Sequence, residues 1–379
     1  MSDSFILVIN SGSSSLKFGL YARRENQERL VVDGSAENIG KPGGRIALRD
    51  SSDRVLGSES RDFASQSDAL EHAAGLLAQF APEKPCAIGH RVVHGGPQLV
   101  THQRITPAMI EELRGCVHFA PLHIPTALEL IEKAQRAYPQ IPQFACFDTA
   151  FHRSLPESAA RFALPGEFFD QGIRRYGFHG LSYESIVYQL GAKLPSRTVM
   201  AHLGSGASLA AVKEGKSVDT TMALTPTAGI PMATRSGDLD PGILLYLLRV
   251  KKMNADSLET LLNHDAGLRG LSGGESDMRK LESAAQGGDK KAQLAIDVFC
   301  MSVRKTIAAY AAVLQGLDLL VFAGGIGEHS AYIRGKICEG LQFLGIPPDE
   351  GSGSVRVQVV PSQEDLQIAR HCRGLMGAA

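Results

Sequence analysis

Charged and polar side chains recur in this sequence where the surrounding pattern is apolar. Arg91 interrupts the stretch CAIGHRVVHGG, and Asp148 directly follows the apolar run FACF. His179 lies in YGFHG, Arg235 in PMATRSGDLDP and Glu364 in SQEDL. Arginine and histidine can neutralise an anion during group transfer, and carboxylates can position such groups or hold a metal. Each residue taken singly is better explained by a surface charge or a satisfied ion pair.

Three turns combine glycine with an apolar run before it. The first is SGSSSLK at 11–17, the second is GSGAS at 204–208, and the third is GGIGEHS at 324–330. Glycine lets the backbone approach a ligand closely, and backbone N–H groups and serine hydroxyls bind phosphate oxygens. The Walker spacing GxxxxGK[ST] is absent, so none of them is a P-loop. Together the turns predict a nucleotide held between two halves of the protein.

The pattern around the turns indicates which elements position them. Leu16, Phe18 and Leu20 alternate with other residues after the first turn, and this period of two predicts a strand. A hairpin is also predicted over 198–212. Because a dinucleotide-binding turn must open a helix, these contexts argue against that class. The similarity of SGSSSL and SGASL is a faint sign of internal duplication. A strand over 317–322 precedes the third turn, and a helix is predicted after it.

Helical periodicity alternates with these strands and predicts an α/β fold. The predicted helices cover 67–80, 126–137 and 289–315, with another beginning at Asp240 and Pro241 and a C-terminal helix capped by Ser362. A length of 379 residues predicts two domains.

The overall composition excludes several classes. The net charge of −1 gives no sign of a nucleic-acid or membrane partner. Six scattered cysteines without a CxxC pair argue against a zinc site or a disulfide framework and fit a reducing cytoplasm. The N-terminal run FILVI is too short for a signal peptide or a membrane span.

In order along the chain, these motifs resemble the acetokinase family of the acetate and sugar kinase, heat-shock chaperone and actin superfamily. The matching segments are VINSGSSSLKF, GHRVVHGG, FDTAFH, YGFHG, HLGSGAS, TRSGDLDP, SDMR, GGIGEH and EDLQIAR. The resemblance covers nearly the whole chain. It implies two domains of a duplicated RNase H-like (actin-like ATPase) fold with an interdomain cleft. The first would comprise 1–148 plus 366–379, and the second, with the nucleotide site, 149–365.

The resemblance also implies an activity: reversible transfer of the γ-phosphoryl group of ATP to acetate, giving acetyl phosphate and ADP, with Mg²⁺ or Mn²⁺. It implies a homodimer, and the composition predicts a cytoplasmic protein with neither a nucleic acid nor a membrane as partner. The alternatives are a propionate or butyrate kinase and an actin-like nucleotide switch that transfers nothing. Such a switch would keep the phosphate turns but would need neither Arg91 nor Arg235.

Family roles carry over residue by residue. Arg91 matches the substrate-binding arginine, Asp148 the catalytic aspartate, and His179 and Arg235 the transition-state stabilisers. The magnesium-associated positions are Asn10 and Glu364. The pocket for the acetate methyl group is formed by Val93, Leu122, Phe178 and Pro226. The ATP-binding positions are Ser13, Ser15, Lys17, His202, Leu203, Gly204, Ser205, Gly206, Asp277, Met278, Arg279, Gly325, Ile326, Gly327, Glu328 and His329.

The chemistry of the acceptor limits what these residues must do. Simple carboxyl groups have a pKa of about 4, so acetate is already ionised at neutral pH and needs no base. We therefore expect Asp148 to orient Mg²⁺, water or an arginine, with an acid/base role left open. Val93 in place of alanine favours acetate over propionate. Ser205, Ala228, Ala233 and His329 depart from the family pattern and leave the nucleotide preference open.

Overall fold

The computed structural model describes residues 4–12, 15–24, 27–80, 84–121, 123–347 and 353–377. The chain divides into a first unit, residues 1–150 with 363–379, and a second unit, residues 151–362. The domain boundaries inferred from the sequence at 148/149 and 365/366 stay a prediction.

Strands and helices alternate along the described residues. The strands are β1 (Phe5–Ser11), β2 (Leu16–Arg24), β3 (Gln27–Glu37), β4 (Arg45–Asp50), β5 (Val55–Ser60), β6 (Ala87–Val92), β7 (Gln103–Arg104), β8 (Gln143–Phe147), β9 (Arg197–Leu203), β10 (Ala207–Lys213), β11 (Lys216–Thr220), β12 (Leu319–Ala323) and β13 (Arg356–Val359). The helices are α1 (Gln66–Leu77), α2 (Pro107–Gly115), α3 (Ile124–Ala137), α4 (Glu157–Ala160), α5 (Gly166–Asp170), α6 (Gly180–Leu190), α7 (Pro241–Arg249), α8 (Ala255–Thr260), α9 (Gly267–Ser272), α10 (Met278–Gln286), α11 (Lys290–Val313), α12 (Gly324–His329), α13 (Ala331–Cys338) and α14 (Glu364–Gly377).

The sheet of the first unit has the strand order β5-β4-β3-β2-β1-β6-β8-β7. β1, β2 and β3 are antiparallel neighbours, whereas β1, β6 and β8 are parallel. The predicted first hairpin is confirmed, with Asn10 opposite Lys17 across β1 and β2. Because parallel strands end at the same edge of a sheet, Asn10, Arg91 and Asp148 come to one edge.

Helices cover the apolar faces of this sheet. Leu7, Ile9, Phe18 and other strand residues pack with α1 and α3 in one buried cluster. On β6, a Cβ atom at Gly89 would collide with Ile368 and Cys372 of α14. Glycine at this position therefore lets α14 pack directly on the strand that carries Arg91. The last helix of the chain thus belongs to the core of the first unit.

The sheet of the second unit has the order β11-β10-β9-β12-β13. β9, β10 and β11 are antiparallel neighbours, and β9, β12 and β13 are parallel. This order and these directions repeat those of β3-β2-β1-β6-β8 in the first unit. The duplicated α/β fold predicted from the sequence is therefore confirmed.

Two sequence predictions about helix starts differ from the structure. Only Gly324 of the third turn has a positive φ, +73°, and the residues from Gly324 to His329 already form α12. The C-terminal helix begins at Glu364, and the carbonyl of Gln363 accepts a hydrogen bond from the N–H of Gln367. Ser362, the predicted cap, therefore lies one residue before the observed cap position, Gln363. Asp240 caps α7, as predicted, and Asp289, the first residue of the predicted helix over 289–315, caps α11. Among the described helices, none is long and apolar enough to cross a membrane.

Candidate active site

Arg91 and Asp148 form a buried ion pair in the first unit. Nε of Arg91 donates to both carboxylate oxygens of Asp148 at 3.1 Å, and Nη2 donates to Oδ2 at 2.6 Å. The side chain of Asp148 is 1% exposed and that of Arg91 is 16% exposed. Burial acts to lower the pKa of Arg91, but the carboxylates of Asp148 and Glu364 raise it above its ordinary value. Arg91 is therefore a fixed cation whose Nε side is held by Asp148.

Asn10 links this pair to α14. Its Oδ1 accepts from Nη1 of Arg91 at 3.2 Å, and its Nδ2 donates to Oδ1 of Asp365 at 2.6 Å. Nδ2 also lies 3.5 Å from Oε2 of Glu364. Burial raises the pKa of Asp365, whereas Lys17 and the hydrogen bond from Asn10 act to lower it. Sequence reasoning singled out Glu364 and missed Asp365, although both stand side by side in the motif SQEDL.

The first glycine turn is closed by its own backbone. The N–H of Gly12 donates to the carbonyl of Ser15 at 2.8 Å, and Gln66 of α1 donates to the carbonyl of Gly12. Lys17 follows on β2 with an exposed side chain. Ser13, a predicted phosphate ligand, lies outside the described residues. Within the described part, the turn joins Asn10 and Lys17 on one hairpin.

In the second unit, two side chains approach the second glycine turn. The N–H of Gly204 donates to the carbonyl of Gly206 at 3.1 Å and closes the turn between β9 and β10. A Cβ atom at Gly206 would lie 3.3 Å from Nε2 of His179 and 3.6 Å from Nη1 of Arg235. Gly206 therefore leaves open the space that these two groups border. Sequence reasoning named all three residues without being able to place them together.

His179 is held in an unusual backbone conformation at the start of α6. Its φ of +58° lies in the left-handed region, which is uncommon for residues other than glycine. Nδ1 of His179 lies 2.9 Å from Oγ of Ser208, and the hydroxyl of Tyr183 lies 2.6 Å from the same oxygen. The ring stacks on His202 with 4.3 Å between centroids. Sequence reasoning did not identify Tyr183 or Ser208.

Arg235 lies in a loop that is bonded to the second turn. The N–H of Ala233 donates to the carbonyl of Ser205 at 3.1 Å, and Nη1 of Arg235 donates to the carbonyl of Pro226 at 3.2 Å. The loop thus positions the guanidinium at Gly206 through its own backbone.

The segment before His179 is anchored by another histidine. Nε2 of His152 lies 3.0 Å from the carbonyl of Phe178, and Nδ1 lies 2.8 Å from Oγ of Ser217. Burial lowers the pKa of His152 to about 4. The neutral ring therefore donates from Nε2 to the carbonyl and accepts from the serine at Nδ1.

The third glycine turn adjoins the second. A Cβ atom at Gly324 would lie 2.7 Å from the carbonyl oxygen of Leu203, so only glycine allows this close approach. Oε1 of Glu328 accepts from the N–H groups of Gly324 at 2.9 Å and Ser362 at 3.0 Å. The carboxylate of Glu328 is therefore hydrogen-bonded to two backbone N–H groups, whereas His329 is exposed.

The remaining predicted ligands fall into two groups. Asp277 caps α10 and pairs with Arg279 at 2.7 Å, with Met278 buried beside them. Of the predicted methyl pocket, half-buried Val93 belongs to the first unit, while buried Phe178 and half-buried Pro226 belong to the second. Leu122 lies outside the described residues. That these residues form one pocket stays a prediction.

Two sheets share a five-strand order, and each has a glycine hairpin turn beside fixed cationic or hydrogen-bonding groups. These features define a phosphate-handling protein of duplicated α/β fold. The sequence model described as "Acetokinase family" matches residues 5–370. The chain belongs to this family, and the resemblance seen in its motifs is confirmed.

Individual relatives cover nearly all of the chain. It is 41% identical over 396 residues to an acetate kinase of Treponema denticola, covering 98% of this chain and 99% of the relative. Among solved structures, it is similar to a Porphyromonas gingivalis acetate kinase at TM-score 0.86 and 34% identity, covering 98% of this chain and all of that one. It is also similar to a propionate kinase of Francisella tularensis at TM-score 0.91 and 36% identity, again covering 98% and 100%.

Proposed function

We propose that the protein transfers the γ-phosphoryl group of ATP to acetate, reversibly, giving acetyl phosphate and ADP. The observation that carries this proposal is the approach of His179 Nε2 and Arg235 Nη1 to the Gly206 turn in a member of the acetokinase family. Phosphoryl transfer depends on positioned donors that stabilise charge on the equatorial oxygens. Two such groups at a glycine turn of a nucleotide-binding fold meet that requirement.

Arg91 is proposed to bind the carboxylate of acetate. Its Nε side is occupied by Asp148, so the substrate would approach the side formed by Nη1 and Nη2. Because acetate is already an anion, the reaction needs charge neutralisation and orientation rather than a base. Asp148, with its carboxylate bonded to Arg91, suits the role of anchoring that arginine. Val93, Phe178 and Pro226 are proposed to surround the methyl group.

Mg²⁺ is proposed to bind at Glu364 and Asn10. Carboxylate and amide oxygens are ligands that this ion accepts, and Asp365 adds a second carboxylate beside them. When bound, the ion would neutralise charge on the phosphates. Oδ1 of Asn10 also accepts a hydrogen bond from the guanidinium of Arg91, so this positively charged group lies beside the proposed magnesium site. The proposal of a magnesium site therefore rests on the types of oxygen ligand that these side chains offer.

ATP is proposed to bind along the three glycine turns. Ser15 and Lys17 would face the phosphates from the first turn, as would residues 202–206 from the second. Asp277, Met278, Arg279 and residues 325–329 are proposed to hold the adenosine. Because Glu328 already bonds two backbone N–H groups, its proposed contribution is to shape the start of α12 rather than to bind the nucleotide with its carboxylate.

Hydroxylamine trapping tests the activity directly. Protein, ATP, Mg²⁺ and acetate are incubated with hydroxylamine, and acetyl hydroxamate is measured. Formation that requires all components is expected. ATP binding without hydroxamate would contradict the kinase assignment and favour a nucleotide switch that transfers nothing.

Propionate is the second candidate acceptor, since one of the similar solved structures is a propionate kinase. One methylene group changes binding by only about 1–3 kcal/mol, so some propionate turnover is expected from either enzyme. We expect kcat/KM to be highest for acetate when acetate, propionate and butyrate are compared. A higher value for either longer acid would reassign the substrate.

The protein is further proposed to act as a homodimer in the cytoplasm, where ATP is supplied and the cysteines stay reduced. Helix α7 buries none of its residues, and Ile243, Leu245 and Tyr246 are 43%, 47% and 49% exposed. An apolar helix face of this kind is typical of a subunit contact.

Light scattering coupled to size exclusion tests the homodimer. Tyr246→Glu combined with Leu245→Asp is expected to halve the measured mass. Phe343→Glu is the matched control, since that side chain is 74% exposed elsewhere in the second unit. A wild-type monomer, or a double variant that stays dimeric, would contradict the α7 contact.

A further inference from the structure

Two hydroxyl groups connect the interior of the second unit to His179. Tyr183 is 0% exposed, and its hydroxyl lies 2.6 Å from Oγ of Ser208. Ser208, also 0% exposed, lies 2.9 Å from Nδ1 of His179. The three polar groups therefore form one chain from a buried phenol to the imidazole that borders the Gly206 turn.

Secondary structure fixes the geometry of this chain. Tyr183 follows His179 by one helical turn, and its N–H donates to the carbonyl of His179 at 3.1 Å. Ser208 lies on β10 directly opposite His202 of β9. Helix α6 and the β9–β10 hairpin therefore place both hydroxyls on the Nδ1 side of the ring, while Nε2 borders Gly206.

The direction of the hydrogen bonds follows from counting protons. Burial raises the pKa of Tyr183, so the phenol keeps its proton. The hydrogen-bond partner found for this proton within 3.5 Å is the oxygen of Ser208. When Tyr183 donates to Ser208, Ser208 can donate its own proton to Nδ1 of His179. The opposite direction would turn the buried phenolic proton away from Ser208, at a cost in free energy.

A neighbouring pair follows the same arrangement. Oγ of Ser182 lies 2.8 Å from Nδ1 of His202, whose ring stacks on that of His179. Two stacked imidazolium ions would repel each other, so the contact disfavours a state in which both rings are charged. In a neutral ring whose Nδ1 accepts a hydrogen bond, the proton is on Nε2.

We propose that Tyr183 and Ser208 are positioning residues that hold His179 in the tautomer protonated at Nε2, so that a neutral N–H donor points to the Gly206 turn. This inference rests on the proposed function only for its effect on turnover. The tautomer itself is a property of the protein without substrate. Tyr183 and Ser208 act through His179 and need not touch the substrate.

Nitrogen NMR of the histidine rings tests the tautomer. The protein is labelled with ¹⁵N-histidine at about pH 8, where an ordinary histidine is neutral, and His179→Gln identifies the His179 signals. Protonated and unprotonated ring nitrogens have well-separated shifts. We expect a protonated Nε2 and an unprotonated Nδ1 in the wild type. A proton on Nδ1 in the wild type would overturn the proposal, whatever reaction the protein catalyses.

Substitutions test the consequence for turnover. Ser208→Ala is expected to mix the two tautomers and to lower kcat about tenfold, because a neutral hydrogen bond is worth about that factor. KM for acetate should stay near the wild-type value, since the loss is in the transition state. Ser208→Thr, which keeps the hydroxyl, should restore kcat to within about threefold of wild type. Tyr183→Phe keeps the buried ring but removes the hydroxyl, so it provides the same test of kcat if Ser208→Ala does not fold.

Ser185→Ala is the matched control. Ser185 is equally buried on α6, and its hydroxyl donates to the backbone carbonyl of Ser182 at 2.7 Å. Wild-type kcat and an unchanged His179 spectrum are expected for this variant. Two results would overturn the proposal: an equal loss of kcat in the control, or unchanged kcat and spectrum in both Ser208→Ala and Tyr183→Phe. If the wild type makes no acetyl phosphate, the proposed function fails while the spectra still decide the tautomer.

Discussion

Gly206→Ala is the substitution that tests the candidate active site most directly. It adds one methyl group, 3.3 Å from Nε2 of His179 and 3.6 Å from Nη1 of Arg235. The first distance is shorter than an ordinary van der Waals contact, so His179 must shift by a few tenths of an ångström. The methyl group would also fill the space that we assign to a phosphoryl oxygen.

The expected size of the effect follows from the two hydrogen bonds at risk. A hydrogen bond to a charged group contributes about 1.5–3 kcal/mol, and part of each of two such bonds would be lost. A combined loss of about 2.7 kcal/mol in the transition state corresponds to a roughly 10²-fold fall in kcat. The backbone of Gly206 does not have a positive φ, so alanine adds no strain there, and we expect the free energy of unfolding to change by less than about 0.5 kcal/mol.

The assay measures kcat in both directions together with urea unfolding. Gly75→Ala is the matched control, because a Cβ atom there would meet nothing within 4 Å. Gly75 is an exposed position inside α1, so alanine should leave kcat unchanged and stabilise the protein by about 0.5–1 kcal/mol. A Gly206→Ala variant whose kcat stays within about threefold of wild type would show that the turn does not border the transferring group.

Three further outcomes are expected. Arg91→Ala should abolish most turnover and cost about 3 kcal/mol of unfolding free energy, because it removes the guanidinium that pairs with the 1% exposed carboxylate of Asp148. The double variant with Asp148→Ala should regain stability in urea but not activity, and additive losses would contradict the pairing. Arg235→Ala should lower kcat by about 10²–10⁴ with less than about 1.5 kcal/mol lost in urea unfolding, and near-normal kcat/KM would remove Arg235 from the mechanism. His152 has a folded pKa of about 4, so the unfolded state binds its proton first as the pH falls below about 6.5, and stability is lost from there to about pH 4. At pH 5 this loss is about 2 kcal/mol. The free energy of unfolding should therefore differ less between pH 7 and pH 5 in His152→Gln than in the wild type, by about that amount. An unchanged difference would contradict a neutral buried His152.

The sequence predicted the elements whose pattern is local. Alternation after the first turn predicted the hairpin of β1 and β2, and Asp240 followed by Pro241 predicted the start of α7, because capping depends on residues adjacent in the chain. The third turn was predicted less well. Its glycines suggested a longer loop, whereas a single residue in the left-handed region, Gly324, completes the turn and α12 begins at once.

Contacts between segments that are distant in the sequence could not be predicted from local sequence patterns. The motifs named Glu364, but the shortest bond from Asn10 goes to Asp365, and one residue on a helix turns a side chain by about 100°. Ser208 stood inside a quoted motif without an assigned role. Tyr183 follows the motif YGFHG closely in the sequence but was assigned no role. The hydrophobic periodicity of a sequence indicates which face of an element is buried, but not which hydroxyl will form a hydrogen bond with which ring nitrogen.

The position of α14 has a consequence for biosynthesis. The first unit needs residues 363–379, which the ribosome adds only after the whole second unit has been made. Until then, β1 and β6 lack the helix that packs against Gly89, and their apolar surface is open to wrong contacts. The second unit is contiguous in the chain and can fold as soon as it emerges. Translation therefore imposes an order in which the segment made first is completed last, and the nascent N-terminal sheet is where a chaperone would be needed.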